Sequence, residues 1–573
     1  MITGKTQIDI RERVRLGLNF LNNNVDKDRG CLPYFTTIFK TNPAEARHDW
    51  PDFGDLTSRY VEAFIYVRKI LGSLEYSESE LRLRELFYSY FCENDGLSYR
   101  PEFEKPYYST ISRGPYNAHV AEGFDQARVM WALIALHSEQ KDGNSLELMA
   151  NLVKGISNVL VRKDDYGYFD RSAWTPGLNV DPNAEPMPHQ FYFMGTQINP
   201  LVQYYRMTGD ETALDVAKRL TNYILYQTDY FAVDGSWTVD IKKTGVGDEV
   251  DFEGEVDGHC HSRLGTLAGI TALGNLLNNS ELISRAKSCY DWFYEKHCSS
   301  FGWSPEFLGR YGDENEGFET CVLMDQILCA LELCNAGFAE YYEQIEKFAR
   351  NQLMEAQLTD LSLFKNDVHK EKTWLSTFDN VGEMVLGGFV GWGAPNDFVG
   401  NCNHHYCLMN CCGPAGIRAM YDVWSNITAL SDEYLTINMF MDFEDENVCL
   451  ENMQLEGEGI SVFSKVNKPL RIRRRSWMNV DAMAITSNTG NVAFTSDEEF
   501  VYVISEDSFN QQITLSQYLP EEKEHVFVNG REYDVIWKGD TVIEISPEGK
   551  FMPLYQNRVI ESKHAVDAAC CEV

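Results

Sequence analysis

A change of texture near residue 430 limits this chain's possible folds more than any single residue does. From about residue 8 to 430, apolar residues recur at three- and four-residue spacing, the mark of helices with one buried face. Ile8 to Asn22, Leu56 to Leu71, Ala121 to His137, Thr212 to Tyr226, His261 to Leu277 and Cys321 to Ala336 carry the stripe. Such segments come in neighbouring pairs, many separated by aromatic and charged stretches. About a dozen helices in hairpins must each hide an apolar stripe against neighbours, which predicts an (α/α)6-type helical toroid with a cleft at one rim. After residue 431 the segments become short and alternating, as in Leu470 to Arg473 and Thr541 to Ile545, with turn residues between them. The expected architecture is mainly α with an all-β C-terminal domain. Residues 1–430 form the toroid, 431–554 an antiparallel β-sandwich and 555–573 an irregular tail.

Partners follow from charge. A formal charge of −36 disfavours nucleic acid and anionic membranes, both of which reward Lys and Arg. No stretch of about 18 apolar residues occurs, so no membrane span is expected. The first twenty residues read as an amphipathic helix rather than a signal peptide. With 15 cysteines and no export signal, the expected compartment is the reducing cytoplasm. A homo-oligomer is left open.

Chemistry concentrates in two stretches. Cys411 and Cys412 are adjacent, a poor geometry for a mutual disulfide but suited to presenting two thiolates to one ion. Glu319-Thr320-Cys321 offers a carboxylate and a thiolate two residues apart. Glu319, Cys321, Cys411 and Cys412 together make a donor set suited to tetrahedral Zn2+. The plainer alternative is a group of ordinary buried thiols. His404 and His405 flank the doublet as orienting groups or as alternative ligands. On the rim loops, Trp50 is a candidate stacking platform, with Asp49 and Asp52 beside it. His259 and His261, where a loop enters a helix, and His119 and His189 on other loops are candidates for hydrogen-bonding a ligand in the cleft.

Phe318-Glu319-Thr320-Cys321 and Cys411-Cys412-Gly413-Pro414-Ala415-Gly416-Ile417-Arg418 carry a family likeness. So do Leu470-Arg471-Ile472-Arg473 with Trp477, Val528-Asn529-Gly530, and Trp537-Lys538-Gly539-Asp540. In that order they resemble the zinc- and cysteine-dependent β-L-arabinofuranosidases of glycoside hydrolase family 127 and related bacterial proteins. The resemblance implies a retaining glycosidase releasing a terminal sugar, by default β-L-arabinofuranose, from a small oligosaccharide or glycoside. Cys411 would be the nucleophile, held by zinc together with Glu319, Cys321 and Cys412. It also implies an upstream Glu as acid/base. Glu306, in Trp303-Ser304-Pro305-Glu306-Phe307, matches the local pattern, with Glu314 and Glu316 as fallbacks. The family places a Gly-His followed by an Arg where this chain has His259, His261 and Arg263. Two other classes compete. One is a carbohydrate-binding or structural protein with a structural zinc. The other is a zinc-thiolate cyclase-like enzyme, whose expected Cys-His-Gly signature is missing here.

Overall fold

The computed structural model describes residues 8–72, 75–102, 119–141, 143–187, 191, 194–239, 258–308, 317–401, 403, 406–453, 459–504, 509–519, 521–528 and 530–556. His189, Glu314, Glu316, His404 and His405 lie outside them.

Six helices close a ring: α2 (Asp55–Leu71), α4 (Gly123–Gln140), α6 (Ile198–Thr208), α8 (Cys260–Leu277), α10 (Thr320–Asn335) and α13 (Cys412–Trp424), each against the next and α13 back against α2. Outside them pack α1 (Ile10–Asn23), α3 (Glu78–Ser89), α5 (Gly143–Val159), α7 (Glu211–Tyr226), α9 (Ser280–His297) and α11 (Tyr341–Phe348). A single-turn helix, α12 (Val381–Val385), sits against α1. This is the double-ringed helical toroid expected. The ring position explains the composition of each helix. Along α8, every residue from Cys260 to Gly274 except Gly265 is buried, whereas α9 buries only Leu282, Ala286, Cys289, Tyr290 and Phe293. Four outer helices start on side-chain caps, from Asp9, Ser77, Asp210 and Asn279. The inner helices α2, α4, α6, α8, α10 and α13 have none.

The toroid also carries small sheets that the helical periodicity does not announce. One joins Ser376–Thr377, Glu45–Arg47, Thr36–Ile38 and Cys407–Met409 in that order. Beyond Trp424 the chain is β-rich, with sheets of five, six and three strands. All pairs in these sheets are antiparallel but one: Leu435–Ile437 runs parallel to Leu470–Ile472, so the sandwich is not antiparallel throughout. No helix among the described residues is long and apolar enough to cross a membrane.

A buried ionic knot fastens the β region to the toroid. Glu346 of α11 is fully buried; it accepts from Arg350 Nε at 2.7 Å, from the backbone N–H of Phe440 at 2.8 Å, and from Arg475. Asp540 accepts from the Trp477 indole at 3.0 Å, and Asn351 bonds the backbone at Asp540 and Val542. The sequence signatures around Trp477 and Asp540 thus serve here as a fastening. Glu346→Gln would leave two buried guanidiniums short of an anion, at a cost of about 3–5 kcal/mol. A clearly lowered melting temperature is the expected outcome; an unchanged one would show that the knot does not hold the halves together.

A second fastening returns from the far end of the chain. Asp397, in the loop after strand Gly391–Gly393, accepts backbone N–H groups of Lys550, Phe551 and Met552 at 2.5, 2.6 and 2.8 Å. Tyr555, fully buried, donates its backbone N–H to Glu355 at 3.0 Å.

Candidate active site

Three inner helices begin at chemically loaded residues. His259 is the N-cap of α8, Glu319 of α10 and Cys411 of α13, and none spends its side chain on capping. The uncapped N–H groups at these ends favour negative charge, which suits a carboxylate and thiolates.

Local structure fixes each position. Cys411 follows the strand Cys407–Met409, and Asn410 before it donates to Tyr34 O at 2.8 Å and Thr37 Oγ1 at 3.0 Å. The glycines after the doublet answer to contact: a Cβ on Gly413 would lie 2.1 Å from the Phe20 ring, and one on Gly416 2.5 Å from Phe389. Helix α13 therefore seats tightly against α1 and against Phe389 only with small residues there. On the other side, Glu319 is held in a two-strand ladder opposite Gly391.

The two stretches meet. One donor atom each from Glu319, Cys321, Cys411 and Cys412 falls within 4.8 Å of all the others, and all four residues are buried. Cys321 Sγ and Cys412 Sγ are 3.9 Å apart. Two thiolates on one tetrahedral zinc at about 2.3 Å each would be separated by roughly 3.8 Å. Glu319 Oε2 is buried and has no hydrogen-bond partner among the described residues, as a carboxylate aimed at a cation would be. Burial first, and then the neighbouring thiols, push Glu319, Cys321 and Cys412 up from their ordinary values. Hydrogen bonds from Cys321 and Cys412 pull Cys411 down. A divalent cation would satisfy a quartet that cannot otherwise hold its charge, so the residues fit zinc.

Behind the cluster stands a cationic wall. Arg59 donates to Cys321 Sγ at 3.7 Å and to Asp55 Oδ1 at 2.6 Å. Arg59 and Arg128 both donate to His261 Nε2, at 3.0 and 2.8 Å, while Asp325 Oδ2 lies 2.6 Å from Nδ1. His261 therefore braces the wall with both ring nitrogens engaged, instead of facing a sugar as expected from sequence. His259 stays at the cluster: its Nε2 is 3.9 Å from Glu319 Oε2 and its Nδ1 2.8 Å from Ser262 Oγ.

Glu306 joins this group. Donor atoms of His259, Glu306 and Glu319 lie within 4.8 Å of one another. Its backbone is pinned from both sides, by Glu306 N–H to Gly317 O at 2.7 Å and Cys260 N–H to Glu306 O at 2.8 Å. Trp392, which sequence reasoning missed, donates its indole N–H to Glu306 Oε2. Its only trace in the sequence is its place between two glycines.

The remaining candidates stand apart from the cluster. His119 bonds Arg100 O and Glu93 Oε1, both at 3.0 Å. Trp50 is 7% exposed, with the Arg100 guanidinium 4.5 Å over its ring, so it offers no open platform. Asp52 is fully buried, 2.6 Å from His48 Nδ1, and caps its own turn with Asp49; that removes it from any surface a sugar could touch.

Residues 91–236 match the family model described as β-L-arabinofuranosidase, GH127 catalytic domain. The match covers about a quarter of the chain. Solved GH127 structures share its fold across nearly the whole length. A β-L-arabinofuranosidase from Geobacillus stearothermophilus T6 is 12% identical, with 94% of this chain and 81% of that one covered and a TM-score of 0.56. A second GH127 β-arabinofuranosidase is 11% identical, with the same coverages and TM-score. A protein titled glycoside hydrolase is 14% identical over 91% of this chain and 85% of its own, at a TM-score of 0.55. No curated protein matches the sequence. The stretch that matches the GH127 model ends before Glu306, so the four-donor cluster rests on its own geometry.

Proposed function

We propose that this chain is a retaining glycosidase of the GH127 type that releases a terminal sugar, β-L-arabinofuranose first among candidates, using Cys411 as nucleophile and Glu306 as acid/base. Residues 1–430 carry the catalytic site, and 431–554 form the β domain that braces it. Glu319, Cys321, Cys411 and Cys412 would hold zinc. When bound, zinc keeps these thiols ionised at neutral pH and fixed in place. The observation that carries the reading is that Cys411 and Glu306 each have a donor atom within 4.8 Å of the Glu319 carboxylate.

Cys411 Sγ attacks the anomeric carbon as the bond to the leaving oxygen breaks. Glu306 gives that oxygen its proton and is left as a carboxylate. The sugar is then joined to Cys411 as a thioether. In the second step Glu306 takes a proton from water, whose oxygen displaces the sulfur. Two inversions restore the anomeric configuration. His259, beside both carboxylates, is the remaining candidate for binding a sugar hydroxyl.

Purified protein assayed on a panel of aryl glycosides should hydrolyse β-L-arabinofuranosides, with release of the β-anomer as first product. Hydrolysis of another sugar alone would correct the substrate. An α-anomer as first product would overturn the mechanism.

A further inference from the structure

We infer that Trp392 is a positioning residue that dictates which oxygen of Glu306 delivers the proton, an inference resting on the reading of Glu306 as general acid. Trp392 occupies a backbone conformation that L-residues seldom adopt, with φ at +68°. It sits in a bulge: Gly391 pairs with Glu319 and Gly393 with Phe318, and Trp392 is the extra residue between them. Bulges next to active sites commonly re-aim one side chain.

Here the side chain is re-aimed at Glu306 Oε2, which the indole N–H engages. The bulge is held on both sides, by Gly400 N–H to Trp392 O at 2.9 Å and by the Trp303 indole to Gly393 O at 3.1 Å. Gly391 itself backs onto the cluster, where a Cβ would lie 3.6 Å from Cys412 Sγ. One three-residue strand thus touches the acid through Trp392 and the cluster through Gly391.

The chemistry follows from the donor. An N–H pointing at Oε2 disfavours a proton there, so the transferable proton of Glu306 resides on Oε1. When that proton passes to the leaving oxygen, the carboxylate left behind keeps its charge-assisted bond to the indole. A wrongly oriented acid hurts most where the leaving group needs protonation most.

The test is kcat/KM for the full-length protein over aryl glycosides of its sugar, graded from highly activated to poorly activated leaving groups. Trp392→Phe should lose no more than about 3-fold on the most activated substrate and about 100-fold on the least. Glu306→Gln should show the same steepening, and Trp392→His, which restores an N–H, part of the recovery. Should Trp392→Phe not fold, Trp392→Gly, which relieves the positive φ, carries the same measurement. A uniform loss across the series, or no loss, overturns the role of Trp392 when Glu306→Gln is steep. A flat Glu306→Gln profile overturns the acid assignment itself, and this inference with it.

Discussion

Cys411→Ser is expected to abolish hydrolysis, by at least about 10³-fold, with only a small change in melting temperature. The substitution is nearly isosteric, and Ser is a favourable residue at a helix N-cap, the place Cys411 occupies in α13. What it removes is the soft, ionisable sulfur: a hydroxyl stays protonated where a thiol in this cluster gives up its proton. Rates on an aryl arabinofuranoside, read beside a thermal melt, check the expectation. Persisting activity would show that Cys411 is not the nucleophile. If the site were only a metal tie between helices, the wild-type protein would have no hydrolysis to lose.

The second large effect concerns the metal. Protein purified without added metal should carry about one zinc per chain, and Cys412→Ala should reduce that to near zero after dialysis. Cys412 is fully buried and begins α13, so losing zinc also loosens the junction of α10 and α13. A strong chelator should lower the melting temperature of the wild type and leave that of Cys412→Ala unmoved. Protons compete for the same four donors, so bound zinc should fall as pH is lowered. A wild-type chain that melts identically with and without chelator, at substoichiometric zinc, would remove the metal from the proposal.

The sequence reveals the cluster because its parts are local. Glu-x-Cys places two donors at the start of one helix and Cys-Cys two at the start of another, so the toroid needs only to bring two helix ends together. The inner ring was legible too, in helices such as α8 that are apolar almost all round. What stayed hidden depends on distant pairing. The Trp392 bulge exists only because Gly391–Gly393 meets a strand more than 70 residues earlier. The inward turn of Asp52 needs His48, which Asp26 holds from a third segment at 3.2 Å. His261 reads as a rim histidine until Arg59 and Arg128 arrive from other helices. Strands of two or three residues, such as Thr36–Ile38, are too short to show alternation.

The clasp on Asp397 bears on how this protein comes off the ribosome. Synthesis is vectorial, and early segments usually settle before later ones emerge. Here the loop that follows the Trp392 strand is anchored by residues 550–552, about 150 residues further along the chain. Nascent chains that stop short of residue 550 would carry the four-donor cluster but lack this anchor, so competence to hydrolyse should appear only once residues 550–552 have emerged.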